Sequence, residues 1–125
     1  MADASSTPAA AKVRSVTILA DDLIWSTRLA DSLRAAGAEA AVIRRLEDLA
    51  TASPEAVIVD LTARAYDGIA AIRLATAAGA RVVAVGQHDD AALRKAAMEA
   101  GASRVFTYRA LFEDGPRLLG RWLAA

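Results

Sequence analysis

Three aspartates stand where side-chain chemistry can gather. Asp21 and Asp22 follow Thr17, Ile18, Leu19 and Ala20, and Asp60 follows the apolar run Val57, Ile58 and Val59. An acid directly behind a short apolar run sits at the end of a buried strand, with its carboxylate at the rim of the sheet. Taken singly, such an Asp is most often a helix cap or a turn former. Held close together, three carboxylates repel one another, so they must share a cation, take up a proton or stay open to water. A hard divalent ion with oxygen ligands answers that repulsion. Weakly held Mg²⁺ is therefore expected, with Asp21, Asp22 and Asp60 as its ligands.

Such convergence requires neighbouring strands that end at the same edge. Short β-branched runs at residues 14–20, 40–43, 56–59, 82–85 and 104–108 read as strands. Between them lie segments of helical period. After Asp22, the residues Trp25, Leu29, Leu33 and Ala36 share one stripe. Further helices are expected at 46–50, 68–78 and 91–100. The last opens at Asp114, Gly115 and Pro116 and carries Leu119, Trp122 and Leu123 inward. Gly37, Gly79 and Gly101 stand where helices close, and Asp89 or Asp90 is placed to cap the fourth. Runs apolar at every position, such as 82–85, indicate parallel strands buried on both faces. The expectation is a doubly wound, five-stranded parallel sheet between two helical layers. In such sheets ligands bind outside the carboxyl ends of the strands, at the switch in strand order. The three acids fall there.

With the strand and spacing of each motif in place, the chain resembles the receiver domain of two-component response regulators. Asp21 and Asp22 match that family's acidic pair, and Val57, Ile58, Val59 and Asp60 match its phosphoacceptor strand, with Asp60 at the phosphorylated position. Asp67 and Gly68 match an Asp-Gly pair that opens the family's third helix, and Ala100, Gly101 and Ala102 match the turn before its fifth strand. The resemblance spans residues 14 to about 124 and implies a flavodoxin-like (βα)5 fold, three layers of α/β/α, with a role in signal transduction or a phosphorelay.

The departures lie on the last two strands. The family ends its fourth strand in Ser or Thr, where this chain has Gly86, and its fifth in Lys-Pro, where this chain has Tyr108 and Arg109. The aromatic rotor of many receivers matches Val105. No ammonium is then left to offset a phosphoryl charge, and no hydroxyl to pull on the loop behind strand four. Arg64, in the loop after Asp60, is the candidate substitute cation, while Arg109 should point away from the side of Tyr108. Tyr66 either covers the pocket or packs on the surface. The expected function is a protein-interaction module of the receiver type, a pseudo-receiver not switched by ordinary aspartyl phosphorylation. Its rival is a working phosphoacceptor that uses Asp60 with Mg²⁺. A Mg²⁺-dependent phosphatase is a minor alternative, since such enzymes end a strand in Asp-x-Asp, and no enzymatic activity is expected.

Composition narrows the partners. Fifteen acids balance fifteen bases, which argues against binding nucleic acid through bulk charge. No cysteine and a single histidine, His88, exclude thiol chemistry and His-rich metal sites; His88 reads as a solvated loop residue. The first twelve residues carry neither a basic nor an apolar signal segment and read as a disordered tail ahead of one domain over 13–125. No run is long enough to span a bilayer, so the cytoplasm is expected. The expected partner is a histidine kinase or another signalling protein. Otherwise it is a second copy, docked through a face of the fourth helix, fifth strand and fifth helix that offers Leu93, Met98, Leu111 and Phe112. Trp25 and Trp122 read as core, and Arg44, Arg45, Arg117 and Arg121 as solvated.

Overall fold

A computed structural model describes residues 13–87 and 89–125; the predicted tail and His88 lie outside the described residues. Strands and helices alternate: β1 (Ser15–Leu19), α1 (Leu23–Ala35), β2 (Glu39–Ile43), α2 (Glu47–Ala52), β3 (Ala56–Asp60), α3 (Gly68–Ala77), β4 (Arg81–Gly86), α4 (Ala91–Ala100), β5 (Arg104–Thr107) and α5 (Tyr108–Ala124). All strand pairs are parallel, in the order β2-β1-β3-β4-β5. The expected five-stranded doubly wound sheet is present. Its order reverses between β1 and β3, which brings the ends carrying Asp21, Asp22 and Asp60 side by side.

The strands are buried on both faces, as their continuous apolar runs imply. Val16, Ile18, Ile58, Val83 and Val85 pack with Leu29, Leu33, Leu119 and Trp122. Leu19, Val57, Val59 and Ala84 pack on the opposite face with Leu49, Ile72, Ala75 and Ala97. Alternation along β3 sends Ile58 to one layer and Val57 and Val59 to the other. Each fully buried Leu or Ile contributes roughly 1.5–3 kcal/mol relative to exposure.

Local signals set most helix ends. Asp22, Asp67 and Asp90 cap α1, α3 and α4 by accepting from Trp25, from Ile69 and Ala70, and from Leu93. Of the two acids before α4, Asp90 does the capping. Gly101 closes α4 at φ 128, and a Cβ there would also collide with the side chain of Thr76. At the last junction the structure adds a helical segment that was not expected. The strand expected to reach residue 108 stops at Thr107, whose side chain accepts from Ala110 at 3.0 Å and starts α5 at Tyr108. Asp114, Gly115 and Pro116 open the last helical segment, as expected: Asp114 leaves helical geometry at φ −149, ψ 35, so 108–124 is two helical segments joined across a kink. Proline has no N–H to donate to the helical bond of an interior position, so the break falls just ahead of it.

Candidate functional site

Asp60 is the last residue of β3 and only 1% exposed. Its Oδ1 accepts from the Thr62 backbone N–H and the Thr62 hydroxyl, each at 3.0 Å. An Asp that binds the amide two residues on makes a tight turn, and this turn lifts the chain over the carboxylate. The Tyr108 hydroxyl donates to the same Oδ1 and also touches the Thr62 hydroxyl. Burial, followed by the bond to Asp60, pushes the Tyr108 hydroxyl well above the ordinary tyrosine range, so it keeps its proton and remains a donor. Trp25, in the first turn of α1, lies against the Tyr108 ring with centroids 4.6 Å apart. The tyrosine is thus held from behind by an indole and in front by the carboxylate.

Asp21 and Asp22 are engaged differently. Asp21 Oδ2 accepts from the backbone N–H groups of Arg64 and Ala65, at 2.9 and 3.1 Å, tying the loop after β3 to the end of β1. Asp22 Oδ1 accepts from Trp25 N–H at 2.9 Å. Tyr66 lies under the loop, its hydroxyl 2.7 Å from both the Leu19 and the Asp60 carbonyl oxygens. Burial first, and the Asp60 charge second, raise its pKa. Tyr66 therefore ties the ends of β1 and β3 together and is not among the residues that line the depression.

The three aspartates do line one depression, together with Trp25, Thr62, Arg64, Gln87 and Tyr108. The expectation of one cation site is met only that far. Among the described residues no group of three acidic or histidine side chains is arranged to hold a metal ion. One oxygen of each carboxylate is committed, Asp22 Oδ1 to a helix cap, Asp21 Oδ2 to a loop and Asp60 Oδ1 to the Thr62 and Tyr108 hydroxyls. Arg64 contributes its backbone to Asp21, and its side chain is exposed with no ion pair among the described residues. Arg109 points away, as expected, and pairs with Glu113 at 3.3 Å.

Gly86 ends β4 and is buried. A Cβ there would stand 3.3 Å from Leu61 Cδ1, and one on Gly68 would stand 3.1 Å from Leu61 Cδ2. Leu61 is wedged between two glycines and fills the space where a side chain at position 86 would begin. Val105 is half-buried against the α4-side core.

Three residues of this site were not expected from the sequence. Thr62 has a signal, its two-residue spacing from Asp60, which is that of a side-chain-to-backbone turn. Trp25 was read as core, but α1 overhangs the end of the sheet, so its first turn faces the depression. Leu61 shows no sequence signal beyond its place between two glycines in space. Two residues of the expected docking face are engaged within the fold. Leu111 is buried in the α1-side core, and Phe112, though exposed, lies under the Arg28 guanidinium of α1 at 4.6 Å. Phe112 therefore faces α1, because α5 begins earlier than expected and its turns are set accordingly. Of the four apolar residues, Met98 is the one exposed on α4, and Leu93 is half-buried.

No protein-family model matches the chain, and no curated protein matches it. Solved structures do. A beryllofluoride-activated DrrB receiver domain is 18% identical, covers 90% of this chain and 99% of its own, and superposes with a TM-score of 0.76. A response regulator from Thermotoga maritima is 13% identical over 90% of this chain and 99% of its own, with a TM-score of 0.75. The beryllofluoride-activated receiver domain of Klebsiella pneumoniae RstA is 22% identical over 86% and 99%, with a TM-score of 0.69. The chain has the fold of response regulator receiver domains. Among the described residues, no helix is long and apolar enough to cross a membrane.

Proposed function

We propose that this chain is a regulatory protein-interaction module of the receiver type that is not switched by ordinary aspartyl phosphorylation. The observation behind this reading is the Tyr108 hydroxyl seated on Asp60 Oδ1, where the resemblance leads one to expect a lysine. A phosphoryl group added to Asp60 would have to displace that hydroxyl, and it would gain no ammonium in exchange. Nor would it find a hydroxyl at Gly86, where Leu61 fills the space. A hydrogen bond to a charged group contributes roughly 1.5–3 kcal/mol. Losing two such contacts removes most of the roughly 5.5 kcal/mol that inverts a 1:99 equilibrium. The module works by docking, in the cytoplasm and without catalysis. Its partner is a histidine kinase or another signalling protein, or a second copy on the α4/β5/α5 face around Met98. Incubation with acetyl phosphate and Mg²⁺, followed by intact mass, tests the reading. The expected result is an unmodified chain. A phosphoryl adduct that vanishes in Asp60→Asn would replace this reading with that of a working phosphoacceptor.

A further inference from the structure

We infer a second binding site at the opposite end of the sheet, one that takes a small phosphorylated ligand with a flat ring, of the nucleoside monophosphate class. At the amino ends of β4 and β5, a cleft of about 360 Å³ is lined by Arg81, Arg104, Arg121, Val82, Ser103 and Trp122, among others. Its size falls at the lower end of small-ligand pockets.

Three guanidiniums gather around one cleft. The arginines at 34, 45, 109 and 117 each pair with a carboxylate on their own or an adjacent turn. Among the described residues Arg81, Arg104 and Arg121 pair with none. Two of them are nevertheless positioned. Arg81 donates to the Trp122 carbonyl at 2.6 Å, and its guanidinium lies 5.7 Å from the Trp122 ring centre. The Arg104 guanidinium lies 5.1 Å from the Phe106 ring centre. A guanidinium stacked on an aromatic ring has already given up much of its side-chain freedom and is weakly hydrated, so it binds an oxyanion at lower entropic cost than a free one. The Arg81 bond also satisfies a carbonyl in the last turn of α5, whose negative end would otherwise repel an anion. The apolar part of the lining, Ala80, Val82 and Trp122, gives a bare phosphate nothing to bury, whereas a ring gains from it. The site shares no residue with the depression around Asp60, so it stands or falls independently of the phosphorylation question.

Amide NMR shifts of the intact chain, with AMP, adenosine and inorganic phosphate as separate probes, test this. Saturable shifts at Ala80, Ser103 and Arg104 are expected with AMP, with at least tenfold weaker effects from adenosine and from phosphate. Arg81→Gln combined with Arg104→Gln should weaken AMP at least tenfold, while Arg117→Gln, outside the cleft, should leave it unchanged. No saturable shift with AMP overturns the proposal. So does phosphate binding as tightly as AMP, or equal binding by the double variant; the three-probe series on the unmodified chain needs no variant to fold.

Discussion

The two halves of the sheet's carboxyl edge differ in how their side chains are committed. On the β1/β3 half, Asp22 and Asp60 accept hydrogen bonds from the helix and the loop that follow them, and Asp21 accepts from the loop after β3. On the β4/β5 half stand Gly86 and Tyr108, where the sequence resemblance leads one to expect a hydroxyl and a lysine. Tyr108 reaches across the site to the first half and occupies its central acid. Acids at strand ends make a site recognisable, but the residues opposite them decide whether those acids are free to react.

Leu61 is the sharpest point at which to break this comparison. Leu61→Ala should cost about 2–4 kcal/mol in chemical unfolding, because a buried leucine leaves a cavity. Gly86→Thr alone should cost about 1–3 kcal/mol by overpacking against Leu61. Placed on the Leu61→Ala background, the same change should cost measurably less, and strictly additive penalties would mean that Leu61 does not fill the position.

The next effect compares the halves directly. Tyr108→Phe removes a half-buried bond to a carboxylate and should cost roughly 1.5 kcal/mol. Asp21→Asn keeps an acceptor for the Arg64 and Ala65 amides and should cost well under 1 kcal/mol by the same melts. The reverse order would place the structural weight on the acidic half.

Base tests the same tyrosine. Tyr66 and Tyr108 both have pKa values raised in the fold, while an unfolded tyrosine titrates near pH 10. Below about pH 10 both states hold the proton and the stability is fully present. Above it the unfolded chain releases protons that the folded chain keeps, so stability should fall as pH rises. Melts between about pH 8 and 11 should show this fall, shallower in Tyr108→Phe.

These contrasts also mark what the sequence makes legible. Val57, Ile58 and Val59 announce a doubly buried strand because apolar periodicity is local, and Asp22, Asp67 and Gly101 announce helix ends for the same reason. Asp114, Gly115 and Pro116 announce the start of the last helical segment, but the segment before them, 108–113, carries no such local signal. The acidic pair and Asp60 can be placed from strand order alone. That Tyr108 covers Asp60 depends on Thr107 capping a helix that starts at Tyr108 and on Trp25 backing the ring, the second a contact between distant segments. Residue types at strand ends therefore locate the site, while its state depends on packing across the sheet.

The smallest effect belongs outside the site. Arg109→Ala breaks an exposed pair with Glu113, whose side chains are 84% and 59% exposed. It should change the melting free energy by no more than about 0.5 kcal/mol. A larger loss would mean that the residue after Tyr108 helps to hold it.

The central claim is that Tyr108 keeps Asp60 out of phosphoryl chemistry, and beryllofluoride, a phosphoryl mimic, addresses it most directly. Backbone amide NMR of the unmodified chain with Mg²⁺ and beryllofluoride should show weak binding and little movement in β4 and β5. Tyr108→Lys with Gly86→Thr should bind the mimic better, aided further by Leu61→Ala if Leu61 obstructs the new side chain. Large shifts through β4 and β5 in the unmodified protein would contradict the account, because the mimic would then have displaced Tyr108 and moved the switch without the groups argued to be necessary.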